Sequence, residues 1–309
     1  MKFLKCFSAL LFTAFFSYAQ LPKTEIWVFD LKQDATGYKL SKPILVKEGD
    51  GYNNQPYFTQ DGNSMYFVSN GKNGGRTDIY EYDFTKEKRN TKRLTYTRNE
   101  SEYSPMRTPN DARISCVRVA KDTQVQNLCT YNLKGNKPKI LYPNIKTFGY
   151  YCWKNQVELL AFHVPEPFLL RRHNRPYKKH DTLASQIGRC LQNQRGKILY
   201  VDKSDSADWK IKILNNKRLA NREFDGLLDD EILTSTLKGA EDFALIRGKD
   251  LVMAKDGFIF MKPNVFNQKQ EHWSPMADLN RYKLYDVYRI VVSRSGNRLA
   301  LVARVTEAE

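Results

Sequence analysis

Residues 56–69, PYFTQDGNSMYFVS, alternate apolar and polar positions on either side of an Asp61-Gly62 pair. Period-two alternation marks a strand with two different faces, and Asp-Gly is a strong hairpin signal. PYFT (56–59) and SMYFVS (64–69) therefore read as paired strands. The turn NGKNGG leads to TDIYEYDF (77–84), and KEKRN leads to TKRLTY (91–96). Four antiparallel strands in about forty residues make one propeller blade.

The same order recurs along the chain. A second copy runs MRTPNDARISCVRV, then NLCTYNL (127–133) and KPKILY (137–142). FGYYCWKNQVELLAFHV (148–164) opens a third and IGRCLQNQRGKILYVDK (187–203) a fourth, which continues as DWKIKIL. AEDFALIRGKDLVMAKDGFIFMKP (240–263) and EHWSPMADL form a fifth, and VYRIVVSRSGNRLALVAR (287–304) begins a sixth. First turns fall near Asp61, Asp111, Asn155, Gln194, Gly248 and Ser295, a blade-like spacing of about 40–50 residues. DDEILTSTL (229–237) suits a short helix as well as a strand and loop.

The two ends are complementary. TEIWVFDL (24–31) resembles a third strand and SKPILV (41–46) a fourth, whereas the chain ends after a first and second strand. The expected fold is all-β: a six-bladed β-propeller of four-stranded antiparallel blades, the last blade closed by the N-terminal strands. Closure removes free sheet edges. An open sandwich with unequal halves is the rival arrangement.

Composition agrees with a folded chain. Of 309 residues, 41% are hydrophobic and 27% charged, and the 18 Tyr and 17 Phe favour strands. Residues 1–19 carry Lys2 and Lys5, an apolar stretch from Phe7 to Phe16, and the small-x-small site Ser17-Tyr18-Ala19. That is the pattern of a secretory signal peptide, which leaves residues 20–309 as a single domain with a periplasmic or secreted location. No later stretch is apolar for the length of a membrane span. The net charge of +16 becomes +14 without Lys2 and Lys5. Such an excess favours anionic partners. Of the cysteines beyond the leader, Cys116 and Cys129 flank a hairpin turn and are candidates for a cross-strand disulfide. Free buried thiols are the alternative.

The modules resemble the WD40-like (PD40) repeats of the TolB-type propeller family, whose signature is Pro-x-Phe/Trp-Ser-Pro-Asp-Gly before an apolar strand. Here it stands as QPYFTQDGNSMYFVSN, SPMRTPNDARISCVR and RIVVSRSGNRLALVA, with Asp-Gly lost at Asn110-Asp111-Ala112 and Arg294-Ser295-Gly296. SEYSP, FGYYCW, IGRCLQ, AEDFA and MADL extend the resemblance to secreted TolB-like proteins of Bacteroidetes-type bacteria. The family as a whole implies no single activity: it includes envelope proteins that bind partners and propellers attached to peptidases.

In a propeller the first strands line the channel, and their starts converge at one end. Those starts hold Gln55, Glu102, Tyr150, Arg189, Glu241, Asp242 and Arg289. Arginines there suit a carboxylate or phosphate, so a ligand-binding mouth is expected. Glu–Arg pairing that only stabilises the channel is the structural alternative. Glu102 and Glu241 are the candidate carboxylates for a glycan hydrolase or lyase. GxSxG is absent, and His163, His173, His180 and His272 show no metal-ligand spacing. No catalytic residue, metal or cofactor is therefore assigned. RRHNRPYKKH (171–180) places Arg171, Arg172, Arg175, Lys178 and Lys179 together, and reads as a solvated basic loop between outer strands, with a dedicated contact for anionic lipid, glycan or an acidic protein face as the alternative. The expected partner is an envelope or secreted protein, or an anionic small ligand or glycan, with peripheral contact to an anionic membrane as an additional option. Nucleic acid is a poor fit, because only Tyr177 interleaves the basic residues. A purely structural envelope protein is a further alternative.

Overall fold

The computed structural model describes residues 21–71, 75–88, 90–214, 230–267 and 272–305. The signal-peptide assignment lies outside the described residues. Six four-stranded antiparallel sheets form the propeller. Blade 1 holds Asn53–Phe58, Ser64–Ser69, Asp78–Asp83 and Thr91–Arg93. Blade 2 holds Glu100–Arg107, Ile114–Ala120, Gln126–Tyr131 and Lys139–Ile140. Blade 3 holds Phe148–Trp153, Glu158–His163, Leu169–Asn174 and Lys179–Ala184. Blade 4 holds Ile187–Gln194, Lys197–Asp202, Lys210–Ile213 and Glu231–Ser235. Blade 5 holds Phe243–Ile246, Asp250–Lys255, Phe258–Lys262 and Ser274–Asp278. Glu231–Ser235 is a strand, so the helical option for that segment fails. Its backbone pairs with Lys210–Ile213 and covers an edge that would otherwise be exposed.

Blade 6 joins the two ends of the chain. Val287–Val292 and Arg298–Arg304 supply its inner pair, and Thr24–Asp34 and Gly37–Lys47 its outer pair. Thr24 pairs with Arg304 and Trp27 with Leu301. Closure continues past the strands, where the Val305 N–H donates to the Lys23 carbonyl at 3.1 Å.

The core is six seams rather than one centre. Phe29, Leu299 and Leu301 pack on Ala244 and Val252 between blades 6 and 5, and Met65 and Phe67 pack on Ile26 and Val302 between blades 1 and 6. The other four seams have the same construction. Inner strands are covered on both faces, so Glu158–His163 and Phe243–Ile246 are buried along their whole length.

One irregularity bears on function. The first strands of blades 1, 2, 3, 4 and 6 shift register near their starts, between Asn54/Tyr57, Tyr103/Met106, Phe148/Tyr150, Ile187/Leu191 and Val287/Arg289. Gln55 and Ser104 sit at these bulges with φ of 55° and 51°. A bulge re-aims every side chain before it.

Candidate binding site at the channel entrance

The starts of blades 3, 4, 5 and 6 meet at one polar cluster. Arg189 approaches Asp242 Oδ1 through Nη2 at 3.1 Å, and Arg289 approaches Asp242 Oδ2 through Nη1 at 3.4 Å. One carboxylate thus lies between two guanidiniums. Arg289 Nη2 also donates to the Tyr150 hydroxyl at 3.0 Å, and its guanidinium lies 5.1 Å from the ring centre. Arg189 Nη2 donates to the Tyr288 carbonyl at 3.1 Å. Glu241 accepts the backbone N–H of Arg189, and Lys203 Nζ stands 3.4 Å from its other oxygen.

Burial opposes the charge of Arg289, but Tyr150, Asp242, Tyr52 and Tyr288 outweigh it and hold its pKa above the usual arginine value. Burial also opposes the charge of Arg189, and Asp242 reverses the effect. Tyr52 and Tyr288 are pushed up, mainly by burial. The site is therefore cationic and phenolic, with neutral tyrosines around fixed guanidiniums.

A cavity of about 470 Å³ opens beside this cluster, between blades 4, 5 and 6. Its walls include Arg189, Asp242 and Arg289, with Trp209, Lys238 and Tyr288. Arg189 Nε and Arg289 Nε have no hydrogen-bond partner within the chain, whereas Asp242 Oδ1 is held by its ion pair with Arg189. Buried polar atoms without partners are uncommon, and two here share one cluster.

No protein-family model matches the sequence, and no curated protein matches it. Among solved structures, the chain is similar to the putative TolB from Agrobacterium tumefaciens. The TM-score is 0.65 at 10% identity, covering 93% of this chain and 99% of that one. The fold is a TolB-like six-bladed propeller. TolB from Acinetobacter baumannii gives a TM-score of 0.55 at 15% identity, covering 92% of this chain and 65% of that one. At such identities the likeness shows the fold alone. An oligogalacturonate lyase from Vibrio parahaemolyticus has a TM-score of 0.48 at 11% identity, covering 82% of this chain and 89% of that one, too distant to bear on activity.

Within the TolB-like propeller, Tyr150, Arg189, Glu241, Asp242 and Arg289 lie in one cluster, and Glu102 does not join them. It is fully buried against the seam of blades 1 and 2. Tyr131 donates to Oε1 at 2.9 Å, and Thr95 and Thr97 donate to Oε2 at 3.3 and 3.2 Å. Burial pushes its pKa up to about 7, against the pull of the Tyr131 hydrogen bond. The bulge between Tyr103 and Met106 turned this position away. Glu102 and Glu241 therefore do not face each other across one cavity, as paired carboxylate chemistry requires.

The prolines held the missing signal. Aligning Pro56 with Pro105 pairs Gln55 with Ser104, and Asn53 with Glu102. Asn53 and Glu102 are both latch positions: their carbonyls accept Thr24 Oγ1 and Thr77 Oγ1, each at 2.7 Å, from the preceding blade. Gln55 is mostly buried, and its Oε1 accepts the Ser104 N–H at 2.7 Å. It joins blade 1 to blade 2 at the entrance. Tyr52, Tyr103 and Tyr288 were missed, because apolar-polar alternation assigns aromatics to strand faces rather than to the channel.

The basic stretch is not a loop. Leu169–Asn174 and Lys179–Ala184 are the outer strands of blade 3. Arg172 is buried and bonds Asp181 at 2.6 Å, with Glu158 Oε1 3.7 Å away, so it is not a surface cation. Arg171 is half-buried beside His180, whose carbonyl it contacts at 3.4 Å, and Lys179 lies 3.7 Å from Asp181. Arg175 and Lys178 remain exposed on the turn. Alternation along a strand sends neighbouring basic residues to opposite faces.

His173 is likewise buried rather than solvated. Thr147 Oγ1, His163, His173 and His180 form a chain, with contacts of 2.8 Å (Thr147–His163), 2.8 Å (His163–His173) and 3.0 Å (His173–His180). His173 uses both ring nitrogens, one toward each neighbour, so the three rings do not converge on a point. Among the described residues no group of three or more His, Cys, Asp or Glu is arranged to hold a metal. Burial depresses His163 to about 4 and His173 to about 2, and lowers His180, with the Arg171 charge adding to each. Because these folded-state values lie below 6.5, stability is full above pH 6.5 and falls as pH falls. Between pH 6.5 and 5 the loss is expected to be about 2–4 kcal/mol. Urea unfolding of the protein beside His173→Phe checks this. An unchanged acid slope in the variant would show that the chain does not titrate this way.

Cys116 and Cys129 are direct cross-strand partners, as expected, but both are free buried thiols rather than a disulfide. The shared seam of Tyr66, Ile79 and Leu94 packs them as small apolar groups.

Proposed function

We propose that this protein is a non-catalytic exported binding protein. It holds an acidic segment of an envelope or secreted partner at the channel entrance. One observation carries the assignment: the Arg189–Asp242–Arg289 cluster, with two unpartnered guanidinium Nε atoms, lines an open cavity of about 470 Å³. A concave site with a few convergent polar groups is where a ligand is expected. The leader-like first nineteen residues support export to the periplasm or beyond, and the PD40-type turns support kinship with secreted TolB-like proteins. Among the described residues no helix is long and apolar enough to cross a membrane.

The arginines divide the work. The Arg289 side chain is 10% exposed and anchors the cluster, whereas that of Arg189 is 25% exposed and faces the ligand. Lys238 stands exposed on the cavity rim. Arg189→Ala with Lys238→Ala is expected to lower partner affinity at least about tenfold, and because Asp242 keeps Arg289 at 3.4 Å the domain should stay folded. Affinity recovery of envelope proteins by the two forms, at low and moderate salt, tests this. Equal recovery by both would remove the site from this surface.

A further inference from the structure

The chain's excess of positive charge is not spread evenly. First strands run from the cavity end to the far end of the channel, so the first-to-second and third-to-fourth turns of every blade emerge opposite the cavity. The first-to-second turns of blades 2–6 carry Arg113, Lys154, Arg195, Arg247 and Arg294 in turn. Carboxylates pair with some cations at each end, as Asp286 does with Arg304 and Asp242 with Arg189 around the cavity, and Glu158 with Lys154 at the far end.

The third-to-fourth turns of blades 2 and 3 concentrate this charge. Lys134 and Lys137 lie on one, Arg175 and Lys178 on the other, and all four are exposed. None stands within salt-bridge distance of a carboxylate among the described residues. Lys137 and Lys178 have φ of 54° and 48°. Glycine or asparagine relieves that left-handed backbone, yet both turns keep a lysine there. The first turn is braced, since Arg113 Nη2 donates to the Lys137 carbonyl at 2.6 Å.

Apolar side chains stand among these cations. Leu133 is 41% exposed, Val157 42% and Tyr177 72%, and all three belong to turns of blades 2 and 3 at this same end. The Arg175 N–H donates to the Val157 carbonyl at 3.0 Å, which ties two of the turns together.

The geometry points to a docking surface for an anionic lipid bilayer at the turn end of blades 2 and 3. Lysine and arginine meet the headgroups, and Leu133, Val157 and Tyr177 enter the boundary between headgroups and acyl chains. The apolar residues decide between partners. A soluble polyanion gives exposed leucine and valine nothing to enter, whereas a bilayer interface takes aliphatic and tyrosine side chains beside basic ones. Nucleic acid would need several stacking aromatics, and Tyr177 stands alone. Docking by this end leaves the cavity facing away from the membrane.

Sedimentation with vesicles tests the surface. The purified protein is expected to bind phosphatidylcholine vesicles containing about a third phosphatidylglycerol, and not phosphatidylcholine alone. Reversing Lys134, Lys137, Arg175 and Lys178 to Glu should weaken binding by about a hundredfold or more, since each cation near an anionic surface contributes several-fold. Leu133→Ser, Val157→Ser and Tyr177→Ser together should weaken vesicle binding about tenfold while sparing retention on heparin. Tyr177→Trp should shift its emission to the blue on anionic vesicles, independently of the charge variants. Equal binding to neutral vesicles, full binding by the reversed form, or no blue shift would overturn the proposal. Full vesicle binding by the triple serine form would also overturn it, because the apolar side chains that single out a bilayer would then contribute nothing.

Discussion

Asp242→Ala is expected to destabilise the propeller by about 3–5 kcal/mol, the usual consequence of removing one partner from a buried ion pair. Asp242 is the only carboxylate within 4 Å of both Arg189 and Arg289 among the described residues. Without it Arg189 keeps Glu241 at 3.8 Å, but Arg289 keeps only the Tyr150 hydroxyl as a side-chain partner. Two guanidiniums would then face each other, with Arg289 the more buried of the two. Replacing Asp242, Arg189 and Arg289 together by Leu or Met removes the unpaired charges along with the pair, and should restore much of the loss. Urea unfolding of the three forms separates these cases. A loss below about 1 kcal/mol for Asp242→Ala would mean that water already neutralises the cluster.

Glu102→Gln is expected to do the opposite and raise stability above neutral pH. The folded pKa of about 7 lies above the ordinary 4.5, so the folded state holds a proton that the unfolded state releases. Its stabilising effect is full below pH 4.5 and is lost as pH rises through 7. At pH 8 the ionised carboxylate should cost on the order of 3 kcal/mol, which glutamine avoids. Asp78 nearby adds repulsion. Tyr131, Thr95 and Thr97 all point hydroxyls at this carboxyl, and each can turn to accept from the glutamine amide. The gain should shrink steadily toward pH 4.5. A difference that does not vary with pH, or a less stable variant at pH 8, would show that Glu102 is not the titrating group. The histidine chain of blade 3 has the opposite sign over pH 4.5–6.5, so each variant must be read against the parent at the same pH.

The blades were legible because they are local. A hairpin's turn chemistry and alternation lie within about twenty residues, and SMYFVS (64–69) is a strand over its whole length. The closing pair was legible for a related reason: TEIWVFDL lacks a first-strand partner in the sequence before it, and VYRIVV…LALVAR lacks a third strand after it. The candidate site was only partly legible. Polar residues at blade starts mark the channel entrance, but which of them face it depends on bulges. Gln55 and Ser104, with positive φ and no glycine, give no compositional warning.

The chain's own order therefore determined the architecture: six repeats, antiparallel pairing within each, and a last blade made from both ends. Those features follow from short-range turn preferences and the two-residue period of a strand. Only the tertiary structure decided which side chains meet. It set Asp242 between two arginines 47 and 53 residues away in the chain, brought Arg289 to Tyr150, sealed Glu102 in a seam, and threaded three histidines into one chain. Such contacts depend on how neighbouring blades register against each other, an angle that no local pattern encodes.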